Sequence, residues 1–414
     1  MIDARGDRAE ELWSGLGLER EDDAVAAAGA IAAARGLRDQ LRAEQAESEA
    51  RGTYSAGVHA RMREAGLYRI TAPRRFGGLQ LPLPVFTKVV MEVAQGDPGS
   101  GWCYALAAGH QITMASYFPP ETQREAFGES GDFLAPHHFA WGGTATETDA
   151  GWLIDGTFPF GSGAPYSTHF LLTMTGRDHG GQSTSVTVVL RRSEYEIVDD
   201  WSGAFGMKAS GSNSVRVESV LVPPERVLTT AFDDPDALGT LGTALHDEPM
   251  YLGRTTAYHS AGLAGVIVGT ARAALDEFES IISRTPSKTA AAVQKSEDPI
   301  FQEVLGTALA AVDAAEALAL NSAEAYIRAT RRAVRLREPF TREQDARIGA
   351  LARSAGALAT SAIDELFVYA GTANIDDGTR MQRYFRDASM FRTHGRQLPR
   401  PSAIGLARVH LTAP

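Results

Sequence analysis

The sequence predicts an α+β protein that runs from helices through a sheet to long helices. Three observations carry that order. Residues 23–64 have strong helix-forming composition, the apolar residues between about Phe133 and Pro223 alternate, and three long stretches after Tyr258 place small and apolar residues at helical spacing. At 414 residues the chain exceeds the roughly 250–300 residues at which single cores stop growing, so several packed domains are expected. The expected boundaries are a lead-in over 1–22, an N-terminal α domain over 23–133, a central antiparallel β domain over 134–236 and a C-terminal helical bundle over 237–414.

Each element has a local reason. The polar lead-in holds one short amphipathic piece, Leu12–Leu18. The Ala, Leu, Arg and Glu of residues 23–64 are broken by few residues other than Gly29, Gly36 and Gly52. Leu67–Gly78 brings β-branched residues, Pro73 and a glycine pair, which predicts a loop between helices. Helical periodicity resumes over Pro84–Ala94 and Ser100–Tyr117. The runs WLIDGTFPF, HFLLTMTG, STSVTVVLR and SVRVESVLVP alternate and are parted by Gly, Asp and Ser, which predicts antiparallel strands. Tyr258–Ser283, Ile300–Ala329 and Thr341–Tyr369 predict long helices that are apolar on more than one face. Such helices pack in a bundle and in part against another subunit. Phe232–Glu248 and Leu398–Gly405 read as loops that shape any pocket near them.

Composition excludes several function classes. A net charge of −11 and no basic stripe with interleaved aromatics speak against a nucleic-acid partner. The Arg328–Arg337 cluster falls at helical spacing and reads as a solvated face. The N-terminus has no apolar signal region, and no window approaches 18 apolar residues, so a cytoplasmic protein with no membrane span is expected. Cys103 is the sole cysteine, which rules out an internal disulfide and a thiolate metal cage; it sits in an apolar run as a small core residue. His137 and His138 are adjacent, so on a strand they point to opposite faces, and no metal site is expected. Phosphate-loop, dinucleotide-fold, zinc-protease and hydrolase-elbow motifs are missing.

Two segments of the β block stand out. In FPFGSGAPYSTHF (Phe158–Phe170), Ser162 lies between glycines at the end of an apolar strand. The glycines allow a flat ligand to approach the backbone and the hydroxyl can donate or accept one hydrogen bond; an incidental serine in a glycine-rich turn reads equally well. In DDWSGAFGMKASGSNSVRVESVLVP (Asp199–Pro223), Trp201 precedes a Gly206-Met207 turn and Ser210, Ser212 and Ser214. The tail from Ala388 to Pro414 carries no aspartate or glutamate, although the chain is acidic, and offers His394 just after Tyr384–Asp387.

Together these segments resemble the acyl-CoA dehydrogenase fold. Gly66–Pro82 is similar to that family's G-L-x-x-x-x-x-P-x-x-x-G-G segment. Glu92–Tyr104 is similar to its E-x-A-x-x-D-x-S-x-x-W helix start, with Gly99 in the serine's place, and Tyr369–Ala388 is similar to its last cofactor loop and R-x-x-R-D-A helix. The resemblance implies an N-terminal helical domain, a central antiparallel, β-barrel-like domain and a C-terminal four-helix bundle. Dehydrogenases of the fold carry a catalytic glutamate after the R-D-A element or on an earlier helix; here the first place reads SMFRTHGR and the second, Leu252–Thr256, has no acid either, Glu248 ahead of Pro249 being the nearest. Phe160–Gly163, Trp201, Thr393-His394 and Gly109-His110 instead resemble the flavin-dependent monooxygenases of this superfamily, the oxygenase components of two-component phenol hydroxylases and the dibenzothiophene monooxygenases.

That resemblance implies reduced FMN or FAD from a separate NAD(P)H-dependent flavin reductase, reaction with O2 to a C4a-hydroperoxide, and hydroxylation, or N- or S-oxidation, of an aromatic small molecule. It implies a homotetramer. Ser162, near flavin N5, would hydrogen-bond the peroxy group and resist loss of peroxide, with Gly163, Met207, Ser210 and Ser212 flanking the ring and Trp201 as an apolar wall. His394 would accept a substrate proton, His110 would orient peroxide or substrate, and Trp102 would join both at the substrate. Arg284 would reach a flavin phosphate across a subunit boundary, and Gly371 would let backbone approach a neighbour's cofactor. Two other readings stay open: a dehydrogenase or oxidase with tightly bound FAD, and a catalytically degenerate binding subunit.

Overall fold

The computed structural model describes residues 18, 20–128, 131–140, 142–201, 203–229, 236–287 and 293–412. Most of the expected lead-in, and residues 232–235 of the loop before Glu248, lie outside the described residues. The chain opens with α1 (Glu21–Arg35), α2 (Arg38–Ala43), α3 (Gln45–Arg51) and α4 (Ala56–Glu64), then α5 (Leu83–Gly96), α6 (Pro98–Gly109), α7 (Gln111–Tyr117) and α8 (Pro120–Phe127). Side-chain caps set key starts: Ser55 accepts from the Val58 N–H at α4, and the Asp97 carboxylate accepts from the Ser100 N–H at α6. The Leu67–Gly78 loop holds two 3₁₀ turns and is tied back by Leu79 N–H donating to Arg69 O and Leu81 N–H to Ile70 O.

The β block contains β1 (His137–Ala140), β2 (Gly143–Thr148), β3 (Gly151–Gly161), β4 (His169–Arg177), β5 (Ser183–Arg191), β6 (Glu196–Ile197), β7 (Asn213–Val222) and β8 (Val227–Leu228). The four alternating runs of the sequence form β3, β4, β5 and β7. The sheet order is β6-β7-β3-β2-β4-β5-β8, with β1 beside β4. Its main ladders are antiparallel, but β1 and β2 run parallel to β4, so the sheet is mixed where an antiparallel one was expected. The reason is the entry of the chain: β1 comes straight from the helical block and lies along β4, with His137 opposite Leu171. Between Phe158 and Gly161 the β3–β7 register shifts, and Phe160 takes a φ of 61°. A bulge of this kind re-aims a strand end, and here it turns residues 160–163 toward the helices.

After β9 (Asp236–Ala237) and α9 (Leu241–His246) come α10 (Thr255–Arg284), α11 (Pro299–Leu336), β10 (Phe340–Thr341), α12 (Arg342–Ala370), α13 (Arg380–Phe391) and α14 (Pro399–Thr412). Asp298 caps α11, and Thr341 with Gln344 forms a capping box on α12. Leu398–Gly405 is therefore mostly the first turns of α14 and not a loop. Its prolines sit at the start of the helix, where missing N–H groups cost nothing. The core runs through α10, which is buried along most of its length. A Cβ at Gly269 would lie 2.3 Å from Met91 O, so this glycine lets α10 press against α5. The buried Glu316 of α11 pairs with Lys88 of α5 and Arg272 of α10, which locks three helices together. A second apolar core, including Trp152, Phe158, Phe170 and Val188, fills the sheet.

Candidate active site

Where the bulged end of β3 meets α6, α10 and the turn after α13, the chain encloses a cavity of about 640 Å³. Trp102, His110, Ser162, Trp201, Met207, Ser210, Ser212 and His394, all expected at a site from the sequence, line it. The other expected residues do not. Gly163 turns away: its φ is 88°, and a Cβ there would lie 2.7 Å from the Ala107 Cβ and 3.0 Å from Cys103 O. Its glycine is thus required by strand–helix packing. Arg284 is exposed at the end of α10, with its Nε donating to Ser280 O at 3.0 Å, and Gly371 lies at the end of α12 with a φ of 84°.

One end of the cavity is a chain of hydroxyls. Trp102 Nε1–H donates to Ser162 Oγ at 3.0 Å, Ser162 and Ser212 Oγ lie 2.7 Å apart, and Ser212 and Ser210 Oγ lie 2.6 Å apart. An indole N–H can only donate, so Ser162 Oγ accepts there and its own O–H is directed either along the chain or into the cavity. The fold pins this hairpin from both sides. Gly211 N–H donates to Gly52 O at 2.7 Å, and the carboxyl of buried Asp387 accepts from the Met207 N–H. Burial raises the Asp387 pKa to about 7. Trp201 Nε1–H donates to Met207 O at 3.2 Å, and its ring meets Phe160 edge-on. Met207, like Phe160, holds a positive φ, 53°. Both residues line the cavity, so local backbone strain sits in its wall.

The other end is a group of imidazoles. The ring centroids of His110 and His137 are 5.1 Å apart, and those of His110 and His259 are 4.8 Å apart. His110 Nδ1 lies 2.8 Å from Ala135 O. A carbonyl only accepts, so Nδ1 carries the proton and the neutral ring presents a bare Nε2 as acceptor. Burial pushes the His110 pKa down to about 4, against the opposing pull of that carbonyl. His394 is partly buried, edge-on to Trp102 at 5.2 Å, with Nδ1 accepting from the Arg396 N–H at 3.4 Å. Its neutral ring therefore carries the proton on Nε2. Burial, then Arg396, pushes its pKa down to about 4.

Several lining residues were not legible. His137 bonds Thr173 Oγ1 at 2.8 Å and His138 Nδ1 donates to Pro159 O at 2.8 Å, yet both border the cavity, because β1 forms part of its wall. His259 and Leu263, one helical turn apart on α10, line it too; that spacing was their only signal in sequence. Among the described residues, no aspartate or glutamate lines the cavity. Glu248, the nearest acid considered above, instead caps the turn before α10 by accepting from the Met250 N–H. No group of histidine, cysteine, aspartate or glutamate among the described residues is arranged to hold a metal.

Comparison with known proteins adds the family. The chain matches the acyl-CoA dehydrogenase N-terminal domain over residues 30–130 and the acyl-CoA dehydrogenase C-terminal domain over residues 261–396. It is 27% identical over 342 residues to a flavin-dependent monooxygenase oxygenase subunit, HsaA, of Rhodococcus jostii, covering 82% of this chain and 86% of that one. It is 26% identical to the oxygenase component of p-hydroxyphenylacetate 3-hydroxylase of Acinetobacter baumannii, covering 80% and 77%. Among solved structures, XiaF from Streptomyces, in complex with FADH2 and glycerol, superposes with a TM-score of 0.85 at 22% identity, covering 95% of this chain and 97% of that one.

Proposed function

Because this chain belongs to the acyl-CoA dehydrogenase family, on its flavin-dependent monooxygenase branch, we propose that it is the oxygenase component of a two-component system that hydroxylates a phenolic or related aromatic small molecule. A separate NAD(P)H-dependent reductase supplies reduced FMN or FAD, and O2 is the co-substrate. The observation that carries this reading is the joining of Ser162, His110 and His394 in one cavity whose described lining has no carboxylate. α,β-Dehydrogenation needs a base that removes a carbon-bound proton, and a carboxylate serves that purpose in dehydrogenases of the fold.

The residues present fit a flavin. The hydroxyl chain offers hydrogen-bonding groups to the edge of a flat heterocycle, while Trp201, Met207 and Phe160 supply apolar walls. When bound, the reduced flavin supplies the electrons that activate O2 for transfer to the substrate. Ser162, steadied by Trp102 and Ser212, would offer a hydrogen bond at the edge of a bound flavin. His110 Nε2 accepts the substrate hydroxyl proton, which enriches the ring for attack, and His394 Nε2–H donates from the flank. The resemblance gave the acceptor's role to His394; the roles are exchanged here because His110 Nδ1 donates to Ala135 O while His394 Nδ1 accepts from the Arg396 N–H. The apolar lining of Leu106, Phe139, Leu263, Met390 and Phe391 keeps water away from the reacting atoms.

The proposal extends to a cytoplasmic homotetramer, in which Arg284 and Gly371 face a neighbour's cofactor. Supporting it, α12 and the segment after it leave Val368 70% and Ile375 54% exposed, apolar surface that a second subunit would cover. Among the described residues, no helix is long and apolar enough to cross a membrane.

The test is reconstitution with a flavin reductase, NAD(P)H, FMN or FAD, and a panel of phenols. Oxygen uptake should be coupled to a hydroxylated product and depend on the reductase. Bleaching of bound flavin by an acyl-CoA without oxygen would establish a dehydrogenase instead. Absence of any activity that responds to His110→Ala or Ser162→Ala would favour a non-catalytic subunit.

A further inference from the structure

The turn after α13 carries His394, but the buried face of α13 itself holds three charged side chains that no reacting atom needs: Arg383, Arg386 and Asp387. The two arginines converge on one partner. Arg383 Nε lies 3.0 Å and Arg386 Nη2 2.9 Å from Glu49 Oε1 of α3, and Arg383 Nη1 donates to Gln45 Oε1 at 2.8 Å. Asp387, 2% exposed, directs its hydrogen bond elsewhere: its Oδ1 accepts from the Met207 N–H in the cavity wall. Burial first, and Asp97 and Glu49 after it, push this carboxyl toward its neutral form, against the pull of that N–H and of Arg386. Neutral or ionised, its oxygen still accepts. An acid buried beside two others is a costly choice for stability alone.

Met207 is the hub of that wall. Its φ of 53° is a left-handed backbone that side chains rarely adopt, so its neighbours must hold it. Its carbonyl accepts from Trp201 Nε1–H at 3.2 Å and from the Ser210 N–H at 3.0 Å. Both donors belong to cavity-lining residues, and the Ser210 hydroxyl continues into the chain through Ser212 and Ser162 to Trp102. The Met207 N–H goes the other way, to Asp387 on α13. The loop lies directly on that helix: Arg386 Nη1 donates to Phe205 O at 2.8 Å, and a Cβ on Gly206 would press into Arg386 O. Without Asp387, a buried N–H would go unsatisfied at the strained residue itself.

We infer that Asp387 is a positioning residue for the cofactor end of the cavity: through the Met207 amide it holds the hairpin in the left-handed turn that sets Trp201 and Ser210 in the wall. It acts through Met207 and touches neither substrate nor cofactor. What the turn is held for rests on the flavin reading of this end, but the turn itself can be followed without flavin.

Hydrogen exchange of the flavin-free protein, read by mass spectrometry, follows the Met207 amide. Asp387→Ala should speed exchange in the peptide that carries Met207 by roughly tenfold or more, while peptides from α10 and β5 keep their rates. In anaerobic titration the same variant should bind reduced FMN or FAD about tenfold more weakly. Asp387→Asn, which keeps an oxygen acceptor in that place, should stay within about threefold of the unaltered protein in both readouts, and its melting curve shows whether the fold survives a change here. Met207→Gly relieves the strained φ, so Asp387→Ala made together with it should cost no more than about threefold in flavin affinity. The inference is overturned if Asp387→Ala leaves exchange at Met207 unchanged or raises it throughout the protein. It is overturned too if Asp387→Asn loses as much as Asp387→Ala, or if Asp387→Ala weakens flavin binding equally with and without Met207→Gly. An unaltered protein that binds neither reduced FMN nor reduced FAD would instead sink the proposed function and leave the exchange result standing.

Discussion

The two ends of the cavity are built in opposite ways. At the sheet end, Ser162, Ser210, Ser212 and the Trp102 indole satisfy one another, and backbone bonds to Gly52 and Asp387 hold the hairpin. At the helical end, imidazoles touch ring to ring, and His259 keeps a buried nitrogen unpaired. The first end is preorganised and loses little on binding a cofactor common to a family. The second keeps polar groups unspent, which leaves it the more open to differ with the substrate.

Substitutions can break this contrast in order of effect. His110→Ala removes the proposed acceptor and should lower turnover by about 10²–10⁴-fold while reduced-flavin affinity holds, measured by product formation against flavin titration. A parallel loss of flavin binding would mean the two ends are not separable. Ser162→Ala should act at the other end, diverting roughly ten times more of the consumed oxygen to hydrogen peroxide, read from the ratio of peroxide to hydroxylated product. Unchanged coupling would remove Ser162 from the mechanism.

The pH dependence sharpens the contrast, since it belongs to the imidazole end. His110 and His394 have folded pKa values of about 4, below the ordinary 6.5. The unfolded chain takes up their protons first as pH falls, so the stability they contribute is full above 6.5 and is lost between 6.5 and 4. Melting temperature should drop through that window, and His110→Asn should flatten part of the drop. Turnover, needing neutral rings, should lack a limb near 6.5. The smallest effect concerns the frame behind the sheet end. Gly163→Ala forces a side chain into a left-handed position against Ala107 and should cost about 1–3 kcal/mol in denaturant unfolding, with catalysis following only as the fold loosens.

The order of helices, strands and helices was legible because each has its own periodicity. The parallel pairing of β1 with β4 was not, since no local pattern records which strand a segment lies beside. In the cavity, the Ser162 segment and the Trp201–Ser212 hairpin could be recognised from their glycines and hydroxyls. His137, His138 and His259 could not: one pair sits on a strand that looked two-faced, and His259 lies in a helix whose neighbours are Ser, Ala and Gly. Their convergence is tertiary. Arg284 and Gly371 fall outside the cavity, so the roles the resemblance implies for them rest on the proposed tetramer.

The central claim is that oxygen from O2 is passed to an aromatic ring held at the imidazole end. It is tested most directly by reconstituting the protein with a flavin reductase, NAD(P)H and flavin under isotopically heavy oxygen gas, with the panel of phenols. Mass spectrometry should find one heavy oxygen atom in the product, and His110→Ala should abolish that label while leaving flavin oxidation intact. Reduced flavin that is oxidised only to hydrogen peroxide with every substrate, or a product whose new oxygen comes from water, would contradict the account.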